Sequence, residues 1–149
     1  MDIIGELSKI INRKVNNNVT FYLKNIPILT VNFEKNSNAV IITNNMKELR
    51  NYELKLEGEV DYFVSYVTNI LVYSGVDELI ETSKDSKIKF YSDPYLYGEI
   101  EENKVIVEKE EVADEETTIH KKYEIATTIK LSGLTIADIV GAFALQFYD

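Results

Sequence analysis

The residue type that most often moves protons in enzymes occurs once in this chain, as His120. A catalytic histidine needs an orienting acid and a nucleophile beside it. The chain has no cysteine, and no Gly-x-Ser-x-Gly motif selects a serine as the nucleophile. One histidine without any cysteine also excludes multi-histidine and thiolate metal sites within a single chain. We therefore interpret His120 as an ordinary strand or surface histidine.

Three acids, Glu57, Glu59 and Asp61, are spaced two residues apart. On a strand they would share one face, where carboxylates bind a divalent cation or act as an acid–base pair. We favour the alternative of a solvated strand face or a helix start. The sequence has no Asp-x-Asp-x-Asp-Gly calcium loop, and its six glycines never cluster into a phosphate-binding loop. We therefore expect no enzymatic activity, no metal and no cofactor.

The most distinctive charge pattern is the acidic ribbon, our name for residues 99–116. It holds nine acids and two lysines, so it carries seven of the nine net negative charges. Such a ribbon suits a solvated hairpin, a docking surface for a protein with a basic surface, or a nucleic-acid mimic. Binding to nucleic acid itself is not expected, because phosphates repel an acidic protein. The candidate partner-binding acids are Glu101, Glu102, Glu108, Glu110, Glu111, Glu115 and Glu116.

Length and composition indicate a globular protein. A chain of 149 residues with 45% hydrophobic content predicts a single domain over residues 1–149. The first residues are acidic and the basic residues begin only at Lys9, which is the wrong order for a signal peptide. The longest apolar segment, 133–148, contains Asp138 and is shorter than the ~20 residues of a membrane span. We expect a cytoplasmic protein without a transmembrane segment.

Hydrophobic periodicity predicts the helices and strands. Residues 3–11 carry one apolar stripe at helical spacing, whereas much of the remaining chain alternates apolar and polar positions. Residues 60–74 fit both patterns; we favour a helix that ends at Gly75, followed by a second short helix over residues 76–82. The strands are expected at 19–23, 28–33, 39–43, 52–57, 88–92, 95–100, 104–112 and 117–131.

The C-terminal segment predicts a helix that is apolar nearly all round, and such a helix is buried against its own chain or another. Self-association is therefore possible through this helix. Its expected interface residues are Ile136, Phe143 and Phe147.

Together these elements predict one α+β domain. We expect an antiparallel sheet of about six strands packed by N-terminal, middle and C-terminal helices. Beside the middle helix we expect a site for an apolar small molecule, a lipid or an apolar partner segment. The chain would then be a non-catalytic binding module, with a lining of Phe63, Val67, Ile70, Leu71 and Phe90.

Residues 19–100 resemble sterol-carrier-type lipid-binding domains. The similarity lies in an N-terminal helix, paired strands at 19–23 and 28–33, residues 56–61 before a middle helix, and a strand and helix junction at 87–96. Ser92 replaces that family's glycine, and the strands after Lys104 depart from its helical ending. The resemblance implies a hydrophobic tunnel between sheet and helices, and no catalysis.

The alternative hypothesis is an acidic inhibitor or adaptor that acts through the acidic ribbon. Small, acidic, cysteine-free α+β chains are common among viral and mobile-element proteins that block host machinery, and the element order also suits secretion chaperones. This is an analogy at the level of protein class.

Overall fold

A computed structural model describes residues 3–11, 18–34, 39–44, 52–55, 59–83, 87–92, 96–112, 114–127 and 133–146. Four helices and eight strands lie in these ranges. The helices are α1 (Ile3–Ile10), α2 (Val60–Tyr73), α3 (Val76–Thr82) and α4 (Gly133–Ala144). The strands are β1 (Asn18–Leu23), β2 (Ile26–Glu34), β3 (Ala39–Asn44), β4 (Tyr52–Lys55), β5 (Lys87–Ser92), β6 (Leu96–Glu101), β7 (Lys104–Val112) and β8 (Thr118–Ala126).

All the described strands form one antiparallel sheet in the order β4-β3-β2-β1-β5-β6-β7-β8. Two four-strand meanders therefore meet where β1 pairs with β5. The helices α2 and α3 carry the chain from the edge strand β4 back to the middle of the sheet. The predicted α+β class and its three helical regions are confirmed, and the sheet has eight strands where about six were expected.

The two faces of the sheet differ sharply, because successive side chains in a strand point to opposite sides. One face lies under the helices. Its buried residues, such as Phe21 on β1 and Val107 on β7, join the helices in one hydrophobic cluster. No helix covers the opposite face in the described part of the chain, and we call it the open face. It carries polar and aromatic residues, including Tyr91 on β5 and Tyr97 on β6, which are 42% and 36% exposed.

The ambiguous middle segment is helical. In α2 the apolar side chains at helical spacing, Phe63, Val67 and Leu71, point into the core. The tyrosines that produced the strand-like alternation, Tyr62 and Tyr66, are more than half exposed on the outer side of the same helix. A helix buries one stripe and leaves the other in water, so the uniformly apolar stripe was the informative pattern.

The C-terminal helix α4 is buried against this chain's own elements. Ile136 and Phe143 are at most 1% exposed, and α4 packs against α1 and α2. Gly141 permits this close packing, because a Cβ there would lie 2.6 Å from Cγ2 of Val64 on α2. The sequence alone did not decide whether this helix is buried by its own chain or by another. In the structure its own chain covers Ile136 and Phe143. The third predicted interface residue, Phe147, lies outside the described residues.

Candidate functional site

The acidic ribbon does not form one surface. Because side chains alternate along a strand and the ribbon folds into a hairpin, its acids lie on both faces of the sheet and at different positions along β7. At one end, Glu101 lies 3.5 Å from both Lys87 and Lys104, and Glu102 occupies the two-residue β6–β7 turn. Glu108 lies in the middle of β7, and the other predicted acids lie at or beyond its far end. A strand rises about 3.4 Å per residue, so Glu108 is roughly 14 Å from Glu101 along the ladder and Glu111 roughly 24 Å.

The far group belongs to a protruding hairpin. The last residue of β7 that pairs with β6 is Lys109, whereas the β7–β8 ladder continues to the pair Val112 and Thr118. We call residues 110–120 the acidic tip. It contains five acids and no lysine or arginine. Among the tip residues whose side chains are described, Ile119 is apolar and 43% exposed.

The turn of the acidic tip is organised by Asp114. Its Oδ1 accepts hydrogen bonds from the backbone N–H groups of Glu116 and Thr117, at 2.9 and 2.8 Å. These bonds favour the carboxylate and lower the pKa of Asp114. Asp114 therefore shapes the turn, while the neighbouring side chains of Glu115 and Glu116 remain exposed.

The base of the acidic tip is held by an ion-pair network on the helix-covered side. The two carboxylate oxygens of Glu111 lie 2.9 Å from Nζ of Lys109 and 2.9 Å from Nζ of Lys121. Hydrogen bonds from Lys109 and then Lys121 lower the pKa of Glu111 to about 2. The same contact with Glu111 raises the pKa of Lys121. Glu111 therefore fixes the hairpin and is not a free charge for a partner.

On the open face, Glu108, His120 and Tyr97 form a cluster. A hydrogen bond of 3.0 Å joins Nε2 of His120 to Oε1 of Glu108, and the rings of His120 and Tyr97 are 6.4 Å apart between centroids. Desolvation, and then the charges of Glu108 and Glu110, raise the pKa of the Tyr97 phenol. This histidine has an orienting acid, as a catalytic histidine would. Among the described residues, however, no serine or threonine hydroxyl is hydrogen-bonded to His120.

Next to this cluster the open face contains a depression of about 520 Å³. Its floor is the backbone of β5 and β6, and three tyrosines, Tyr22, Tyr91 and Tyr97, line it with charged residues. Within the ladder, Tyr91 is opposite Tyr97 and Tyr97 is opposite Glu108. The crowding of tyrosines between residues 62 and 97, Tyr91 and Tyr97 among them, indicates a possible apolar pocket with polar tips, but Tyr22 lies outside that region. The alternation of all three tyrosines with buried residues was a further signal, but only the register brings them together.

The residues predicted to line an apolar site are core residues of the chain. Phe63, Val67, Leu71 and Phe90 are at most 2% exposed, and Ile70 packs against the same core cluster. Of these five residues, only Phe90 borders the depression described above. The apolar-carrier hypothesis stays a prediction, in which a ligand would have to enter between these packed side chains.

The described residues do not form a metal site, a shared carboxylate face at residues 59 and 61, or a membrane-spanning helix. No group of three or more histidine and acidic side chains there is placed to hold a metal ion. Glu59 precedes α2 and Asp61 lies in its first turn, so they do not share a strand face; Glu57 is outside the described residues. No described helix is both long and apolar enough to cross a membrane.

Comparison with known proteins found no matching family model, no matching curated protein and no matching solved structure. The resemblance to sterol-carrier-type domains therefore stays a prediction. The geometry of this chain is the basis for its functional interpretation.

Proposed function

We propose that this chain is a non-catalytic protein-interaction module that binds a positively charged partner segment through its acidic tip. The observation that carries this proposal is the projection of residues 110–120 beyond β6, with five acids and no lysine or arginine. Clustered charges of one sign attract an oppositely charged partner and speed its association.

A further feature of the acidic tip suits binding. Glu111 and Asp114 are used within the hairpin, so the shape of the tip is fixed before a partner arrives. Such preorganisation reduces the entropy lost on binding. Ile119 is also exposed in the tip, opposite Glu111 in the ladder and therefore on the other face of the hairpin from Glu110.

The test uses a fluorescein-labelled peptide of nine lysines and fluorescence anisotropy at low salt. The tip variant changes Glu110, Glu115 and Glu116 to Gln. A control variant changes three exposed acids on the helical side, Glu59, Glu78 and Glu81, to Gln and so has the same net charge.

We expect the tip variant to bind about tenfold more weakly, since each exposed charge contributes roughly 0.5 kcal/mol, and the control to bind nearly as tightly as the wild type. Binding of the wild type should also weaken as salt is raised. Equal loss in the two variants would indicate attraction to the total charge alone and would overturn the proposal, as would no binding by the wild type.

A further inference from the structure

The depression on the open face has a chemical asymmetry that the acidic tip alone does not explain. At one end, Lys89 on β5 is directly opposite Glu99 on β6. At the other end, the tyrosine pair Tyr91 and Tyr97 leads to Glu108 on β7. Both ends contain tyrosine and carboxylate side chains, since Tyr22 on β1 is opposite Lys89, but among the lining residues the only lysine is at the Tyr22 end and the Tyr91–Tyr97 end has none.

The potential at the Tyr91–Tyr97 end is negative. Glu108 is opposite Tyr97 in the ladder, and Glu110 is two residues further along the same face of β7. Desolvation and then the charges of these two carboxylates raise the pKa of the Tyr97 phenol. Lys122 is opposite Glu108 on the side away from Tyr97, and no ion pair within 4.0 Å joins the two among the described residues.

Aromatic faces beside a carboxylate are suited to a planar cation. A guanidinium is planar and weakly hydrated, so it stacks on tyrosine rings while its N–H groups donate to a neighbouring carboxylate oxygen. The ammonium of a lysine is compact and strongly hydrated, and it has no planar face to stack on the rings. Arginine is also enriched among the residues that dominate protein interfaces. The chemistry therefore favours arginine over lysine at this end.

The position of the depression connects it to the acidic tip. Glu110 belongs to the tip, and Glu108 is the next residue on the same face of β7. A basic segment bound along β7 would pass from the tip to the depression. We propose that the depression accepts an arginine side chain of the partner segment, with its guanidinium over Tyr91 and Tyr97 and donating to Oε2 of Glu108, whose Oε1 is 3.0 Å from Nε2 of His120. This proposal rests on the proposed function, since it assigns one subsite within the same interaction.

The test compares two peptides of equal charge, Lys-Lys-Gly-Arg-Gly-Lys-Lys and the same peptide with lysine at the central position, by isothermal titration calorimetry. General attraction to the acidic tip is the same for both. The wild type should prefer the arginine peptide by about three- to tenfold, as expected for a stacked cation at a half-exposed site. Tyr97→Leu and Glu108→Gln should each remove this preference, while Tyr62→Leu, at an exposed tyrosine on α2, should preserve it.

The outcomes separate the two proposals. Equal binding of both peptides by the wild type, or an arginine preference that survives Tyr97→Leu, would overturn the arginine subsite and leave tip binding intact. Failure of both peptides to bind at low salt would overturn both proposals. Circular dichroism confirms that each variant is folded, and Glu108→Gln provides a second test if Tyr97→Leu disturbs β6.

Discussion

Nζ of Lys109 lies 2.7 Å from the backbone carbonyl oxygen of Ile10, which is 99 residues earlier in the chain. This hydrogen bond joins the C-terminal end of α1 to β7. The C-terminal end of a helix favours a positive charge such as the Lys109 ammonium. Lys109 is only 7% exposed. Its ammonium also lies 2.9 Å from Glu111 and 5.8 Å from the ring centroid of Tyr123. A buried ammonium is tolerated here because its donors have partners.

The contact between Lys109 and Ile10 predicts the effect of Lys109→Met. Methionine keeps the apolar stem of the side chain but leaves the Ile10 carbonyl without this donor. We expect the free energy of unfolding to fall by about 2 kcal/mol, the usual cost of losing a buried charged hydrogen bond. Urea denaturation measures it. Lys122→Met, at an exposed position on the open face, is the control and should change stability little. An unchanged stability for Lys109→Met would contradict this role.

The carboxylate of Glu111 predicts a pH dependence. Its pKa is about 2 in the folded protein against an ordinary value of 4.5, so the ionised form stabilises the fold. This contribution is complete above about pH 4.5 and is lost as the pH falls towards 2. Glu111→Gln should therefore be less stable than the wild type at pH 7, and the difference should disappear between pH 4.5 and 2.

Thermal unfolding across this pH range measures the difference. Glu102→Gln, in the β6–β7 turn, has the same charge change outside this network and should leave stability at pH 7 nearly unchanged. A deficit for Glu111→Gln that is constant from pH 7 to pH 2 would show that ionisation of Glu111 does not stabilise the fold.

The close approach at Gly98 predicts that a larger residue is not tolerated there. A Cβ at Gly98 would collide with the ring of Phe90 and with the backbone carbonyl of Ile106. Since one obstacle is backbone, relaxation is costly, and we expect Gly98→Ala to destabilise the protein by about 2–3 kcal/mol. At Gly75, φ is +83° and an added Cβ would meet no neighbouring atom within 4 Å. Gly75→Ala should therefore lower the free energy of unfolding by only about 1 kcal/mol. Equal melting temperatures for Gly98→Ala and the wild type would contradict this packing.

The buried position of Phe63 separates core packing from ligand lining. If Phe63 is a core residue, Phe63→Ala should reduce the free energy of unfolding by about 3–5 kcal/mol. Tyr62→Ala, at its 66% exposed neighbour, should change it by less than about 0.5 kcal/mol. Chemical denaturation of delipidated protein measures both. A small loss for Phe63→Ala would favour the apolar-carrier hypothesis, because a residue that lines an empty ligand cavity has few contacts to lose.

Local periodicity was enough to predict most elements of the fold. The stripe at residues 3–11 forms α1, and the strands expected at 95–100 and 104–112 pair as the hairpin of β6 and β7, with Asn103 in its turn at a φ of 73°. The middle helix was predicted because Phe63, Val67 and Leu71 follow the 3.6-residue repeat. In each case the pattern lies within one segment, where burial of a single face determines the structure.

The candidate site could not be predicted in the same way. Alternation along a strand places the adjacent residues Glu110 and Glu111 on opposite faces of the sheet. What each side chain contacts depends on how β7 pairs with β8. Whether His120 reaches Glu108 also depends on the hairpin register, which is set by the β7–β8 turn. The residues chosen as ligand lining show a second limit, because an apolar stripe looks the same whether it faces a core or a cavity.

The central claim is that the acidic tip binds a basic segment, and an NMR titration of ¹⁵N-labelled protein with Lys-Lys-Gly-Arg-Gly-Lys-Lys tests it most directly. We predict that the largest amide shift changes occur in residues 110–120 and around Tyr97, and that they saturate at one site. Largest changes on α2 and α3, or small changes spread evenly over all acidic regions, would contradict the claim.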